Sequence, residues 1–219
     1  MSDFEIDWER EARTGTAEAI FCTGKSIEQI VHVLGEHRAA ARRLLLTRLA
    51  PERYATLPEA SREGLDYDAR SGTAILGALP APRGEPHAVI VAAGTSDLFT
   101  AAEAARTLAF HGVEAPIVAD VGVAGLWRLM KRIDEIRRYG VVIVVAGMEG
   151  ALFGVVAGLV QVPVIAVPVS VGYGVAAGGR AALSAALASC APGVVTVNID
   201  NGFGAAIAAV KMLNLARGR

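Results

Sequence analysis

Aromatic side chains are scarce. Phe, Tyr and Trp make up 5% of a 219-residue chain that is 53% hydrophobic. The core must then be built from Ala, Val, Leu and Ile, which favours α/β packing over a sandwich or a coiled coil. Excess charge of either sign is also missing: the net charge is −1, which removes the electrostatic case for nucleic acid as a partner. Arg42-Arg43 and Lys131-Arg132 read as solvated helix faces. No apolar run approaches the about 20 residues a membrane helix needs. Val141 to Ala146 is short, and the tract from Ala151 is broken by Gly154, Gly158, Gln161 and Pro163. Met1 to Arg13 is polar and acidic, without the apolar stretch of a secretion signal. A cytoplasmic protein with no membrane partner is the expectation. Cysteine is rare too. Cys22 and Cys190 lie far apart, which excludes a disulfide framework, and neither has zinc-ligand spacing to a second Cys or a His. The histidines, His32, His37, His87 and His111, have no catalytic companion near them in sequence.

What is present is organised around one interruption. Pro80-Ala81-Pro82-Arg83-Gly84-Glu85-Pro86 cannot sustain a helix or a central strand, so residues 80–86 read as a linker. A small α/β domain is expected over 13–79, with strands at 19–22, 44–47 and 73–79 and a helix starting after Ser26 as N-cap. A larger domain is expected over 87–219. There, apolar strands at 88–93, 115–119, 141–146, 164–169 and 194–199 alternate with helices. Strands buried on both faces read as continuous apolar runs, so the pattern predicts a parallel sheet in a three-layer α/β domain. The strand order 2-1-3-4-5, the flavodoxin-like order, is taken as the expectation.

In such a sheet, ligands bind beyond the carboxyl ends of the strands, where the strand order reverses. The loops there are Gly94-Thr95-Ser96-Asp97 and Gly147-Met148-Glu149-Gly150. Thr95 and Ser96 offer hydroxyls at a helix start, a setting that suits a phosphate; Ser or Asp as a plain N-cap accounts for the same residues. Glu149, flanked by glycines, reads as a proton acceptor in a partly desolvated crevice or as a helix-start acid favoured by the macrodipole. Two familiar phosphate motifs fail. Gly24-Lys25-Ser26 lacks the first glycine of a Walker A loop, because Ala19 stands there. Gly172 to Gly178 has one residue too many for G-x-G-x-x-G and follows the fourth strand of its domain, not the first. Cys190, within Leu187-Ala188-Ser189-Cys190-Ala191-Pro192-Gly193, reads either as a small core residue or as a nucleophile.

Several motifs carry a resemblance. The GTSD loop, Ala146-Gly147-Met148-Glu149-Gly150-Ala151-Leu152 and Pro192-Gly193-Val194-Val195-Thr196-Val197 resemble the PurE class of purine-biosynthetic carboxylases and mutases. Further stretches look more narrowly like the LarB family. They are Arg13-Thr14-Gly15, Gly24-Lys25-Ser26, Thr47-Arg48, Asp120-Val121-Gly122-Val123-Ala124-Gly125, Ser170-Val171-Gly172-Tyr173-Gly174, Ser189-Cys190-Ala191 and Asn198-Ile199-Asp200-Asn201-Gly202-Phe203-Gly204. PurE proteins handle carbon dioxide with a histidine shortly after the second strand. Here Asp120 to Gly125 contains none, which supports the narrower choice.

The LarB resemblance implies a pyridinium-3,5-biscarboxylic acid mononucleotide synthase of nickel-pincer cofactor biosynthesis. It would act on nicotinic acid adenine dinucleotide with carbon dioxide or bicarbonate as co-substrate, and release AMP. It further implies Cys190 as nucleophile, for which Glu149 would be the partner base. Thr95, Ser96 and Asp97 would hold phosphate and ribose, with Gly94, Asp120, Gly147, Met148, Gly172, Gly174, Asp200 and Asn201 also facing the substrate. Tyr173 and Phe203 would pack on a ring, or serve as lids or oligomer contacts. Lys25 and Arg48 would meet a carboxylate or a phosphate, or are plain surface charge. Phosphoanhydride cleavage implies magnesium, with Asp97, Asp120 and Asp200 as candidate ligands and no choice among them. PurE relatives are octamers, so a homo-oligomer, an octamer by resemblance, is expected. Because Cys190 precedes the last strand, a simple crossover puts it at the opposite sheet edge from the GTSD loop and Glu149. Either the Gly-rich segment from Gly172 to Gly179 folds back across the crevice, or, as the octameric relatives favour, Cys190 meets the crevice at or near a subunit contact. The competing readings are a PurE-type aminoimidazole ribonucleotide carboxylase or mutase, and a non-catalytic nucleotide-binding module in which Cys190 is inert.

Overall fold

The computed structural model describes residues 5–82, 84 and 87–216. Arg83, Glu85 and Pro86 of the expected linker lie outside the described residues. The backbone divides into two units, Met1–Leu79 and Pro80–Arg219.

The smaller unit runs α1 (Arg10–Thr14), β1 (Ala19–Phe21), α2 (Ile27–Ala39), β2 (Leu44–Thr47), α3 (Pro51–Thr56), α4 (Glu59–Arg62), β3 (Leu65–Asp68) and β4 (Thr73–Leu76). Its sheet has the order β1-β2-β4-β3, with β1 parallel to β2 and the other pairs antiparallel. Helix α2 starts as expected. Ser26 Oγ accepts the Gln29 N–H at 3.2 Å while Gln29 Oε1 accepts the Ser26 N–H at 2.9 Å, a reciprocal capping box. Ile30, Val33 and Leu34 of that helix pack with Leu44, Leu46, Leu49 and Cys22 into one apolar cluster. Three expectations need correction. The last strand ends at Leu76 because Gly77 turns the chain at a φ of 85°. A further strand, β3, precedes it, and α1 runs through residue 13, where the domain was expected to start.

The larger unit runs β5 (Ala88–Ala92), α5 (Leu98–Phe110), β6 (Ile117–Val118), α6 (Leu126–Ile136), β7 (Val141–Ala146), α7 (Ala151–Ala157), β8 (Val164–Pro168), α8 (Arg180–Leu187), β9 (Val194–Thr196) and α9 (Gly202–Ala216). All strands pair in parallel in the order β6-β5-β7-β8-β9, the expected 2-1-3-4-5. Strands β5, β7 and β8 are buried throughout, which is why they consist of Val, Ile and Ala, apart from Pro168 at the end of β8. Alternate side chains serve opposite faces. Ile90, Ile143, Val145 and Val167 meet α5 and α9 in one cluster; Val89, Val91, Val142 and Val144 meet α6, α7 and α8 in the other. Each such side chain withdrawn from water contributes about 1.5–3 kcal/mol. Alanines on α5 (Ala101, Ala104) and α9 (Ala205, Ala206, Ala209) line their shared cluster, where small side chains leave little to separate two helices. No helix of the described residues is long and apolar enough to cross a membrane.

Candidate active site

The parallel sheet delivers five loops to its carboxyl end, and backbone hydrogen bonds join them edge to edge. Gly122 N–H donates to the Ala93 carbonyl at 2.8 Å, joining the loops after β6 and β5. Met148 N–H donates to the Val171 carbonyl at 3.1 Å, joining those after β7 and β8. Gly147 makes that approach possible: a Cβ there would collide with the Val171 carbonyl oxygen. Asp200 completes the rim, donating its N–H to the Pro168 carbonyl and accepting the Ser170 N–H on Oδ1, both at 2.8 Å.

Strain concentrates along this rim. Among the described residues, five non-glycine residues have left-handed backbone, and three of them, Asp120 (φ 58°), Met148 (φ 53°) and Asp200 (φ 56°), follow β6, β7 and β9. Such conformations cost energy and cluster at functional sites. A fourth, Arg48 (φ 55°), follows β2 in the smaller unit. All four are residues nominated from the sequence.

Their side chains are less free than the sequence suggested. Asp97 is only 4% exposed; its carboxylate accepts the N–H of Gly94 at 2.8 Å and that of Gly147, so it ties the β5 loop to the β7 loop. Burial pushes its carboxyl above the ordinary range, against the opposing pull of those two hydrogen bonds. Asp120 is exposed and pairs with Arg128 at 2.7 Å. Asn201 caps α9, its Oδ1 accepting the Gly204 N–H at 2.8 Å. The three acids named for magnesium are thus committed to backbone N–H groups or to an arginine. Among the described residues, no group of three or more His, Cys, Asp or Glu gathers to hold a metal.

What the rim leaves open is a set of polar and aromatic groups. Thr95, Ser96 and Glu149 are exposed, Gly94 is half-buried, and Gly172 and Gly174 flank Tyr173, which is 77% exposed. Phe203 is half-buried at the start of α9. The exposure of Glu149 replaces the partly desolvated setting expected for it. The sequence missed Glu103 on α5, 1% exposed, which accepts the Phe203 N–H at 3.3 Å. Its place inside the apolar helix LFTAAEAARTLAF was the available signal, since a buried carboxylate requires a partner.

Cys190 stands apart from this rim. It is exposed, not a core residue, in the loop between α8 and β9. In that loop the Gly193 carbonyl accepts the Val164 N–H at 3.1 Å, which puts it at the amino end of β8. The rim lies beyond the other end, about 17 Å away for five residues at about 3.3 Å each. The Gly-rich stretch after β8 does not cross that gap. Gly179 packs against the Val169 carbonyl and Ile199 at the carboxyl end. One chain therefore brings Thr95, Ser96, Glu149, Tyr173 and Phe203 to a common rim and leaves Cys190 at the opposite end of the sheet. Lys25 and Arg48 belong to the smaller unit, where the Arg53 guanidinium donates to the carbonyls of Cys22 and Lys25.

A five-stranded parallel sheet of this order, with its open rim at the strand-order reversal, is the flavodoxin-like arrangement of an α/β domain. Residues 87–219 match the family model described as AIR carboxylase, and residues 1–78 match the LarB/PurE-like N-terminal domain. With both parts present in that order, the chain belongs to the LarB family, within the PurE-like carboxylases, an enzyme superfamily of nucleotide metabolism. It is similar to an uncharacterized protein of Methanocaldococcus jannaschii, 37% identical over 221 residues, covering 93% of this chain and 81% of the relative. It is also similar to the N5-carboxyaminoimidazole ribonucleotide mutase of the same organism, 38% identical over 129 residues, covering 58% of this chain and 78% of the mutase. A solved Treponema denticola PurE2 variant aligns at 24% identity and a TM-score of 0.48, over 60% of this chain and 81% of its own.

Proposed function

We propose that this enzyme carboxylates the pyridinium ring of nicotinic acid adenine dinucleotide at C5, then hydrolyses the phosphoanhydride with one water molecule to release AMP and pyridinium-3,5-biscarboxylic acid mononucleotide. The observation that carries the reading is the accessibility of Cys190 in a chain whose other thiol is sealed in the core. A pyridinium carbon is too electron-poor to attack carbon dioxide. Addition of the Cys190 thiolate at C6 forms an S–C bond, neutralises the ring cation and makes C5 an enamine carbon. C5 then forms the new C–C bond to carbon dioxide, leaving an iminium ring with a proton still on C5. Glu149 takes that proton, the electron pair returns to the ring, and expulsion of the thiolate restores the pyridinium. No oxidant enters: a C–H becomes a carboxylate and one proton leaves. Covalent catalysis here divides one difficult step into easier ones.

The reading requires a second copy of the chain, because one copy holds Cys190 and Glu149 at opposite ends of a sheet. Exposed apolar side chains support assembly. Leu187 and Val195 flank the Cys190 loop in sequence, Val175 (99% exposed) follows Tyr173, and Leu126, Trp127 and Met130 share the start of α6. In the assembled particle, the amino end of one sheet would bring Cys190 to the rim of its neighbour. Thr95 and Ser96 would bind phosphate oxygens, and Tyr173 and Phe203 would flank a ring. A magnesium ion in this reaction would take its oxygens from the phosphoanhydride and from water, as that ion commonly does.

The test is to incubate the protein with the dinucleotide, bicarbonate and magnesium and to weigh the products. A mass gain of one carboxyl group, together with AMP, is expected. An unchanged dinucleotide, with an aminoimidazole ribonucleotide carboxylated instead, would favour the PurE-type reaction.

A further inference from the structure

Glu103 lies in the middle of α5, almost sealed from solvent, and the chemistry above gives it no task. A carboxylate in that position needs charge or hydrogen-bond partners, because an isolated buried anion is costly. It meets the N-terminus of α9, a fifteen-residue helix whose first turn carries a partial positive charge. Oε2 accepts the Phe203 N–H at 3.3 Å. Gly202, the residue before, makes this contact possible: a Cβ there would strike the Thr100 carbonyl and come within 2.9 Å of Glu103 Oε2. The first N–H groups of a helix have no acceptor within it. Here one goes to Asn201 of the adjacent loop and one to a side chain 100 residues away.

That first turn is continuous with the rim. Asn201 and Phe203 flank Gly202, and Asp200 binds the Ser170 N–H, whose neighbour Val171 lies over Gly147 and Met148. We propose that Glu103 is a positioning residue: it touches no substrate, and by holding the start of α9 it fixes where Asn201 and Phe203 stand on the rim. Its effect on turnover rests on the function proposed above. Its effect on the loop does not.

The experiment uses the full chain with two substitutions, Glu103→Asp and Glu103→Gln. Aspartate keeps the charge but falls one methylene short of the Phe203 N–H; glutamine keeps the length and one acceptor oxygen. Amide hydrogen exchange is followed in peptides covering residues 198–206, with β5 and β7 as references, beside KM and kcat for the dinucleotide. In Glu103→Asp, exchange over 198–206 rises about tenfold while β5 and β7 are unchanged, and KM rises about tenfold with kcat within about threefold. Glu103→Gln restores both to within about threefold of the natural protein. Unchanged exchange over 198–206 in both variants would overturn the proposal. So would an equal rise in β5 and β7, which would make Glu103 a residue of general stability. A natural protein inactive on the dinucleotide would count against the function, and the exchange result would still decide the role of Glu103.

Discussion

Cys22 and Cys190 are the same side chain in opposite surroundings. Cys22 follows β1 in the smaller unit and is fully buried among Ile30, Leu34, Leu44 and Leu46. Burial pushes its thiol up to about 12, although the Arg53 and Lys25 cations pull the other way. It is protonated at any physiological pH and behaves as a small hydrophobe. Cys190 stands on an exposed loop at the amino end of a parallel sheet, where no packing demand accounts for a thiol. The comparison teaches that residue type alone does not mark a nucleophile. Access separates the two, and the fold decides access by placing one thiol inside a cluster and the other on an exposed loop at a sheet end.

Five experiments break or sharpen this contrast. The largest effect is expected from Cys190→Ser, which should lower turnover of the dinucleotide at least about a thousandfold. Cys22→Ser should leave turnover within about threefold and instead lower stability by about 1–3 kcal/mol, read as a shifted urea midpoint, because it introduces a hydroxyl into an apolar cluster. Next comes Glu149→Gln, expected to lower kcat by about 10²–10⁴ with little change in dinucleotide affinity by calorimetry. Thiol labelling of the folded protein should modify Cys190 at least about a hundredfold faster than Cys22, with the rates converging in denaturant. Equal rates in the folded protein would erase the contrast. The smallest effect concerns the rim. The raised pKa of Asp97 means that its contribution to stability is greatest below the ordinary carboxylate pKa of 3.8 and is lost as pH rises through the elevated folded value. Asp97→Asn has no such titration. Denaturation of the two proteins across the acid range should therefore show the natural protein losing stability relative to the variant as pH rises; a constant difference would contradict the burial argument.

The larger unit was legible because its strands are buried on both faces, so apolar runs such as Val141 to Ala146 announce themselves and alternate with helices of ordinary length. The smaller unit was read less well. Strand β3, Leu-Asp-Tyr-Asp, alternates apolar and acidic residues, with Leu65 and Tyr67 against the core cluster, but it is only four residues long and has no fully buried residue, so the alternation is too brief to stand out. Helix α7 is short, Ala151–Ala157, because the left-handed Gly150 delays its start. The loops of the rim were legible from the rule that ligands bind at the carboxyl ends of strands where the order reverses. The tasks of the rim's side chains were not. Asp97, Asp120 and Asn201 look like ligand contacts in sequence, yet their oxygens are turned to Gly94 and Gly147, to Arg128 and to Gly204. Sequence shows that a carboxylate is present at a loop; which N–H group it faces depends on loops brought together from distant parts of the chain. Glu103, whose partner lies 100 residues away, is the extreme case.

The most direct measurement of the central claim is to quench the enzyme shortly after mixing with nicotinic acid adenine dinucleotide, digest it, and weigh the peptide that contains Cys190. The account predicts that this peptide carries the added mass of the dinucleotide, that the Cys22 peptide does not, and that Cys190→Ser yields no adduct and no carboxylated product. Carboxylated product accumulating at full rate from Cys190→Ser would contradict it.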